Sequence, residues 1–194
     1  MNRVFEAALE VQRFCSERRW RFCFIGGVAV QRWGEPRATR DVDLTLLTGF
    51  GPERDFVRTL LGGFRARIAE AAEFSLKSRV LLLRSSQGVE IDLALGALPF
   101  EERLVERASD FEIGPQQILT TCSAEDLVVL KAFAGRNRDW ADIQEIIAAQ
   151  SGTLDVELVF RELAPFLELK EDASARGRLE QILAAEGLEL PGSG

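Results

Sequence analysis

Residues 24–47, FIGGVAVQRWGEPRATRDVDLTLL, constrain the fold more than any other part of the chain. Apolar Phe22, Phe24 and Ile25 read as buried strand. Gly26-Gly27 then lets the backbone turn sharply and approach a ligand with no Cβ in the way. Residues 28–33 read as a short helix, whose free N-terminal N–H groups suit a phosphate. The following loop carries Arg37, Thr39 and Arg40, and ion pairing with nearby acids or contact with a phosphate are both open to its arginines. Asp41 and Asp43 stand two apart in a second strand over residues 41–47. Residues i and i+2 of a strand share a face, about 6.5 Å apart. Both carboxylates therefore lie on one face, with Val42, Leu44 and Leu46 on the other. Such a pair suits a hard divalent cation better than a core.

The rest of the chain supplies a framework for that stretch. Residues 3–19 have the period of an amphipathic helix, with Val4, Ala8, Val11 and Cys15 on one face. Arg18 and Arg19 at its end complement the helix dipole. The first strand spans residues 20–25, and residues 52–61 form a helix with Pro52 in its first turn. Residues 64–77 carry no clear period beyond a helix around 69–74. Apolar runs at 79–85 and 88–95 read as two strands around a Ser86-Gln87-Gly88 turn. Residues 99–108 form a charged helix, and residues 117–120 one more short strand.

Ser123 followed by Asp126 three residues on reads as a helix N-terminus, and Lys131 follows on that helix, where a solvated cation and a functional one are both open. Asp139 caps the next helix, residues 140–150. Two further helices, 153–168 and 172–187, complete the chain, with Pro165 bending or ending the first. The tail 190–194 is expected to be disordered. The organisation expected is an α/β core over residues 1–98, a mainly helical part over 99–190 and a tail over 191–194.

Composition narrows the chemistry. With 46% hydrophobic and 28% charged residues, the chain is an ordinary globular one. It contains no histidine, which excludes a Ser-His-Asp triad, a histidine general base and histidine-bound zinc. The carboxylates remain as the natural metal ligands, with Mg²⁺ or Mn²⁺ as the natural ion. Cys15, Cys23 and Cys122 lack CxxC spacing and read as small buried hydrophobes. No apolar run approaches the ~20 residues that span a bilayer, and the N-terminus has no secretory pattern, so a cytoplasmic protein without membrane contact is expected. The net charge is −7, unevenly spread: residues 1–40 hold eight Arg against four Glu, and the remainder holds 16 Lys+Arg against 27 Asp+Glu. A basic patch can therefore sit beside the acids in an otherwise acidic protein.

The order Ile25-Gly26-Gly27, thirteen residues, then Asp41-Val42-Asp43-Leu44 resembles the DNA polymerase β-like nucleotidyltransferase superfamily. Within it, Arg37-x-Thr39-x-Asp41-x-Asp43 is similar to bacterial proteins related to the AbiEii and MenT toxins. The resemblance extends to Lys131, Arg136, Arg138, Asp139 and Asp142 in that order, and covers roughly residues 20–150. It implies a mixed sheet flanked by helices, with Asp41, Asp43 and a third acid as catalytic metal ligands. Asp92 fits that third place, since Ile91 and Leu93 set it deep in its strand, whereas Glu90 on the same face lies nearer the turn. The resemblance further implies substrate contacts from Gly26, Gly27, Arg37, Thr39, Arg40, Lys131, Arg136, Asp139 and Asp142.

The activity so implied is transfer of an NMP from an NTP to an acceptor hydroxyl with Mg²⁺ or Mn²⁺. The acceptor would be RNA such as tRNA, or a protein, and an antitoxin protein would be a partner. A small-molecule, aminoglycoside-like acceptor is the alternative, and a non-catalytic nucleotide-binding protein a third reading. Retention of all three acids disfavours the last.

Overall fold

The computed structural model describes residues 2–170 and 174–190. The expected disordered tail, 191–194, lies outside the described residues. In chain order the elements are α1 (Arg3–Glu17), β1 (Phe22–Ile25), α2 (Gly26–Trp33), β2 (Asp41–Leu47), α3 (Glu53–Gly63), β3 (Arg65–Ala66), α4 (Ala71–Ser78), β4 (Val80–Arg84), β5 (Glu90–Gly96), α5 (Pro99–Glu106), β6 (Ser109–Gly114), β7 (Gln117–Thr121), α6 (Ala124–Ala134), α7 (Asn137–Gln150), α8 (Val156–Lys170) and α9 (Ser174–Ala185). The expected α/β class is the observed one.

Two compact units divide the chain. The first comprises Met1–Val28 and Ala38–Cys122, the second Ala29–Arg37 and Ser123–Gly194.

In the first unit the strands form one mixed sheet in the order β3-β4-β5-β2-β1-β7-β6. β2 runs parallel to β5 and antiparallel to β1, and β4–β5 is the expected hairpin. Its turn closes with Gly88 at φ +81° and its N–H on Ser85 O at 3.0 Å. Alternation along β2 and β5 buries Val42, Leu44, Leu46, Ile91, Leu93 and Leu95 on one face. Val4, Ala7, Ala8, Val11 and Cys15 of α1 join the same core, with Val57 and Leu60 of α3. Gln12, on the flank of α1, ties that helix to β7, donating to Ile118 O at 2.6 Å and accepting from Thr120 N–H at 3.0 Å. The three cysteines are buried, and burial pushes the Cys15 thiol up to about 12 against the opposing charge of Arg18. They are packing residues, as expected.

The second unit is helical, with Leu127, Val128, Ile143, Ile146, Ile147, Val159, Leu163, Leu179 and Leu183 buried. Ser123 caps α6 as the sequence implies, accepting from Asp126 N–H at 3.1 Å. One local expectation is corrected, and one alternative, that Pro165 ends its helix, is closed. α7 begins at Asn137, three residues earlier than residue 140, because Asp139 lies inside its first turn and reaches back to the Arg136 N–H at 3.2 Å. Pro165 lies inside α8, which continues to Lys170. Proline removes one N–H donor, and here the buried Val159, Phe160 and Leu163 hold the helix on its neighbours despite that loss.

Candidate active site

The face of the sheet opposite the apolar core carries the acids. The β2–β5 register sets Asp41 beside Glu90 and Asp43 beside Asp92. In the same register Ile25 of β1 lies beside Asp43, and Leu82 of β4 beside Asp92. Directly opposed residues of neighbouring strands share a face. Asp92, distant in sequence, is therefore brought to one patch with Asp41 and Asp43, and Glu90 comes with it.

Each acid has its own local partner. Asp41 is exposed and accepts from Thr39 Oγ1 at 3.0 Å. Asp43 is half-buried against Gly26, where a Cβ would stand 2.1 Å from its Oδ2 and 2.8 Å from its Cβ. Gly26 adopts φ +57°, so it turns the end of β1 directly into α2, and the helix starts at Gly26 rather than at the expected Val28. Gly27 does the same service for Thr39, whose Oγ1 would lie 2.2 Å from a Cβ there. The two glycines thus clear space for the side chains of Asp43 and Thr39.

Asp92 is ion-paired with Arg67, and the same guanidinium reaches Glu90 at 3.1 Å. Glu90 is held a second time by Arg84 at 3.0 Å. Burial raises the Asp92 carboxyl above its usual range; Arg67 opposes the rise, while the nearby charges of Asp41 and Glu90 add to it. Sequence reading missed Arg67, which falls in the segment without a clear period. β3 is only two residues long, but the Arg67 N–H donates to Leu82 O at 3.0 Å and sets this side chain in the row of Leu82, Asp92 and Asp43.

Beside this patch, a groove of about 410 Å³ opens between Arg3, Thr39, Arg40, Arg84, Gln87 and Glu90. Arg40 is exposed on its wall.

The acids supply only oxygen donors, which fits a hard divalent cation. Among the described residues, however, no three acidic, histidine or cysteine side chains are arranged to hold a metal. Thr39, the Gly26 turn and Arg67 each draw one of the three aspartates toward itself.

The other predicted substrate residues gather in the second unit around Asp142. Arg37 forms a two-pronged pair with it, at 2.6 and 2.7 Å, and Lys131 Nζ lies 2.5 Å from its Oδ2. Lys131 also lies 3.5 Å from Asp139, which Arg136 contacts at 2.7 Å. The reading of Lys131 as a solvated cation is corrected: its side chain is 7% exposed. An ammonium can be buried there because two carboxylates face it. Burial alone would raise the Asp142 carboxyl, but hydrogen bonds and charge from Arg37 and Lys131 outweigh it and hold the group below the usual range. Within segment 29–37 the Gln31 side-chain amide donates to Arg37 O; Gln150, donating to Trp33 O at 3.2 Å, and the Arg37–Asp142 pair tie the segment to α7.

A family profile described as "Nucleotidyl transferase AbiEii toxin, Type IV TA system" matches residues 9–188. The fold is similar to that of an antigenic nucleotidyltransferase-like protein from Paracoccidioides brasiliensis, at 16% identity, TM-score 0.53, covering 92% of this chain and 93% of that one. It is also similar to the antibiotic-resistance factor ANT(2'')-Ia, at 16% identity, TM-score 0.54, covering 86% of this chain and 92% of that one. No curated protein sequence matches the chain. Among the described residues, no helix is long and apolar enough to cross a membrane.

Proposed function

The chain belongs to the AbiEii nucleotidyltransferase toxin family, and from that premise we propose that it transfers an NMP from an NTP to a hydroxyl of RNA, such as tRNA, or of a protein, in a reaction dependent on Mg²⁺ or Mn²⁺. It is a nucleotidyltransferase; the acceptor, the metal and an antitoxin partner in the cytoplasm are the proposed additions. The observation that supports this reading is the β2–β5 register, which puts Asp43 beside Asp92 on the polar face with Asp41 two residues away.

In the transfer, the acceptor oxygen bonds to the α-phosphorus, the bond to the bridging oxygen of the β-phosphate breaks, and pyrophosphate leaves. Asp41, Asp43 and Asp92 would hold the divalent ions, which neutralise charge developing on the phosphates. Asp92 would also assist in removing the proton of the acceptor hydroxyl. The Gly26-Gly27 turn and the start of α2 orient the phosphate tail, and Arg40 adds a cation from the groove wall. Arg37, Lys131, Arg136, Asp139 and Asp142 contribute by holding segment 29–37, which leads into Thr39 and the acids.

The test is transfer of label from each α-labelled NTP to total RNA, total protein or an aminoglycoside panel, with and without EDTA. Label in RNA or protein, lost with EDTA and in Asp43→Asn at unchanged melting temperature, is the expected result. Label only in aminoglycosides would overturn the acceptor class. Unchanged transfer by Asp43→Asn would overturn the site.

A further inference from the structure

Nucleotidyl transfer, as described above, gives Arg67 of the acid patch no role. Its backbone is fixed by the bond to Leu82 O, and its side chain, 21% exposed, reaches across Leu82 to two carboxylates on β5. One guanidinium nitrogen takes Asp92 and another takes Glu90 at 3.1 Å, so the planar fork bridges two acids on one face. Arg84 meets Glu90 separately, whereas among the described residues the cation paired with Asp92 is Arg67. A guanidinium cannot lose its proton in a protein. The positive charge that Arg67 sets against Asp92 is therefore permanent, and a metal ion that takes Asp92 must displace it.

We propose that Arg67 is a built-in counter-ion that competes with the divalent cation for Asp92, setting the affinity of the patch for metal by how readily it releases that carboxylate. The proposal rests on the reading that Asp41, Asp43 and Asp92 are the metal ligands. Without a divalent cation, the Arg67 guanidinium bridges Asp92 and Glu90 and offsets the repulsion between these two carboxylates. When the cation arrives at Asp41 and Asp43, Asp92 can join them as Arg67 swings away, retaining Glu90 as its partner. Arg67 is thus a positioning residue. A merely structural tie between β3 and β5 would affect melting and leave metal affinity alone.

The experiment uses the full chain stripped of metal and titrated with Mn²⁺, free Mn²⁺ being read from its paramagnetic resonance signal. Arg67→Gln removes the competing charge and is expected to bind Mn²⁺ about tenfold tighter than the parent, the value of one charge-assisted hydrogen bond. Arg67→Lys, which keeps the charge but not the fork, should fall between them. An Arg67→Gln isotherm that superimposes on the parent's, or is weaker, overturns the proposal. Should Arg67→Gln fail to fold by circular dichroism, Arg67→Lys decides alone: tighter binding supports the competition, and equal or weaker binding ends it. Asp43→Asn separates the two levels of inference. If it binds Mn²⁺ like the parent while Arg67→Gln binds tighter, Arg67 still guards a cation site but the assignment of Asp43 as ligand fails. If neither the parent nor Arg67→Gln binds Mn²⁺, both readings fall.

Discussion

Lys131→Ala distinguishes a buried ion network from a solvated helix face. The side chain is 7% exposed, with Nζ at 2.5 Å from Asp142 and 3.5 Å from Asp139. Orphaning a buried charge costs about 3–5 kcal/mol. Here Asp142 keeps both bonds from Arg37 and Asp139 keeps Arg136, so the electrostatic loss should be less, about 1–2 kcal/mol. The substitution also deletes three methylenes of a buried stem, worth about 2 kcal/mol. Together these lower stability by about 3 kcal/mol, or roughly 6–12 °C in melting temperature for a chain of this length. Lys131→Met keeps most of the stem and should lose only the electrostatic part, about 1–2 kcal/mol. Thermal melting by circular dichroism reads all three proteins, and a double-mutant cycle with Asp142→Asn should show coupling of about 1 kcal/mol or more. A Lys131→Ala protein melting within about 2 °C of the parent, or strict additivity with Asp142→Asn, would refute the buried network.

Two further outcomes follow from the geometry. Gly26→Ala forces φ +57° on a residue with a Cβ and drives that Cβ into Asp43, so it should cost about 1–2 kcal/mol and displace the carboxylate. Melting and Mn²⁺ titration together check this, and a variant matching the parent in both would show that Asp43 does not depend on the turn. The second concerns acid. Because the Asp142 carboxyl is depressed in the folded state, its stabilisation is fully present above the unfolded value of about 3.9 and is lost as pH falls through the lower folded value. Asp142→Asn should therefore be less stable than the parent at pH 7, with the gap closing below about pH 4; a gap constant down to pH 3, followed by denaturant titration, would refute the assignment.

Period-two alternation was enough to read the acid face from the sequence. Val42, Leu44 and Leu46 on one side and Asp41 and Asp43 on the other follow from strand geometry alone, as does the place of Asp92 between Ile91 and Leu93. The cap of α6 at Ser123 was equally local, since its partner is three residues away. These signals are legible because they repeat or close within a few residues. Nothing local could reveal that Arg37 meets Asp142 across 105 positions, or that this pair and Asp139 bury Lys131. Arg67 was equally hidden, because β3 is too short to show a period and its partner Asp92 is two strands away in the sheet. An ion pair is written in the sequence only as two charges, and which carboxylate each cation meets is decided by the strand register and the helix packing that bring them within reach.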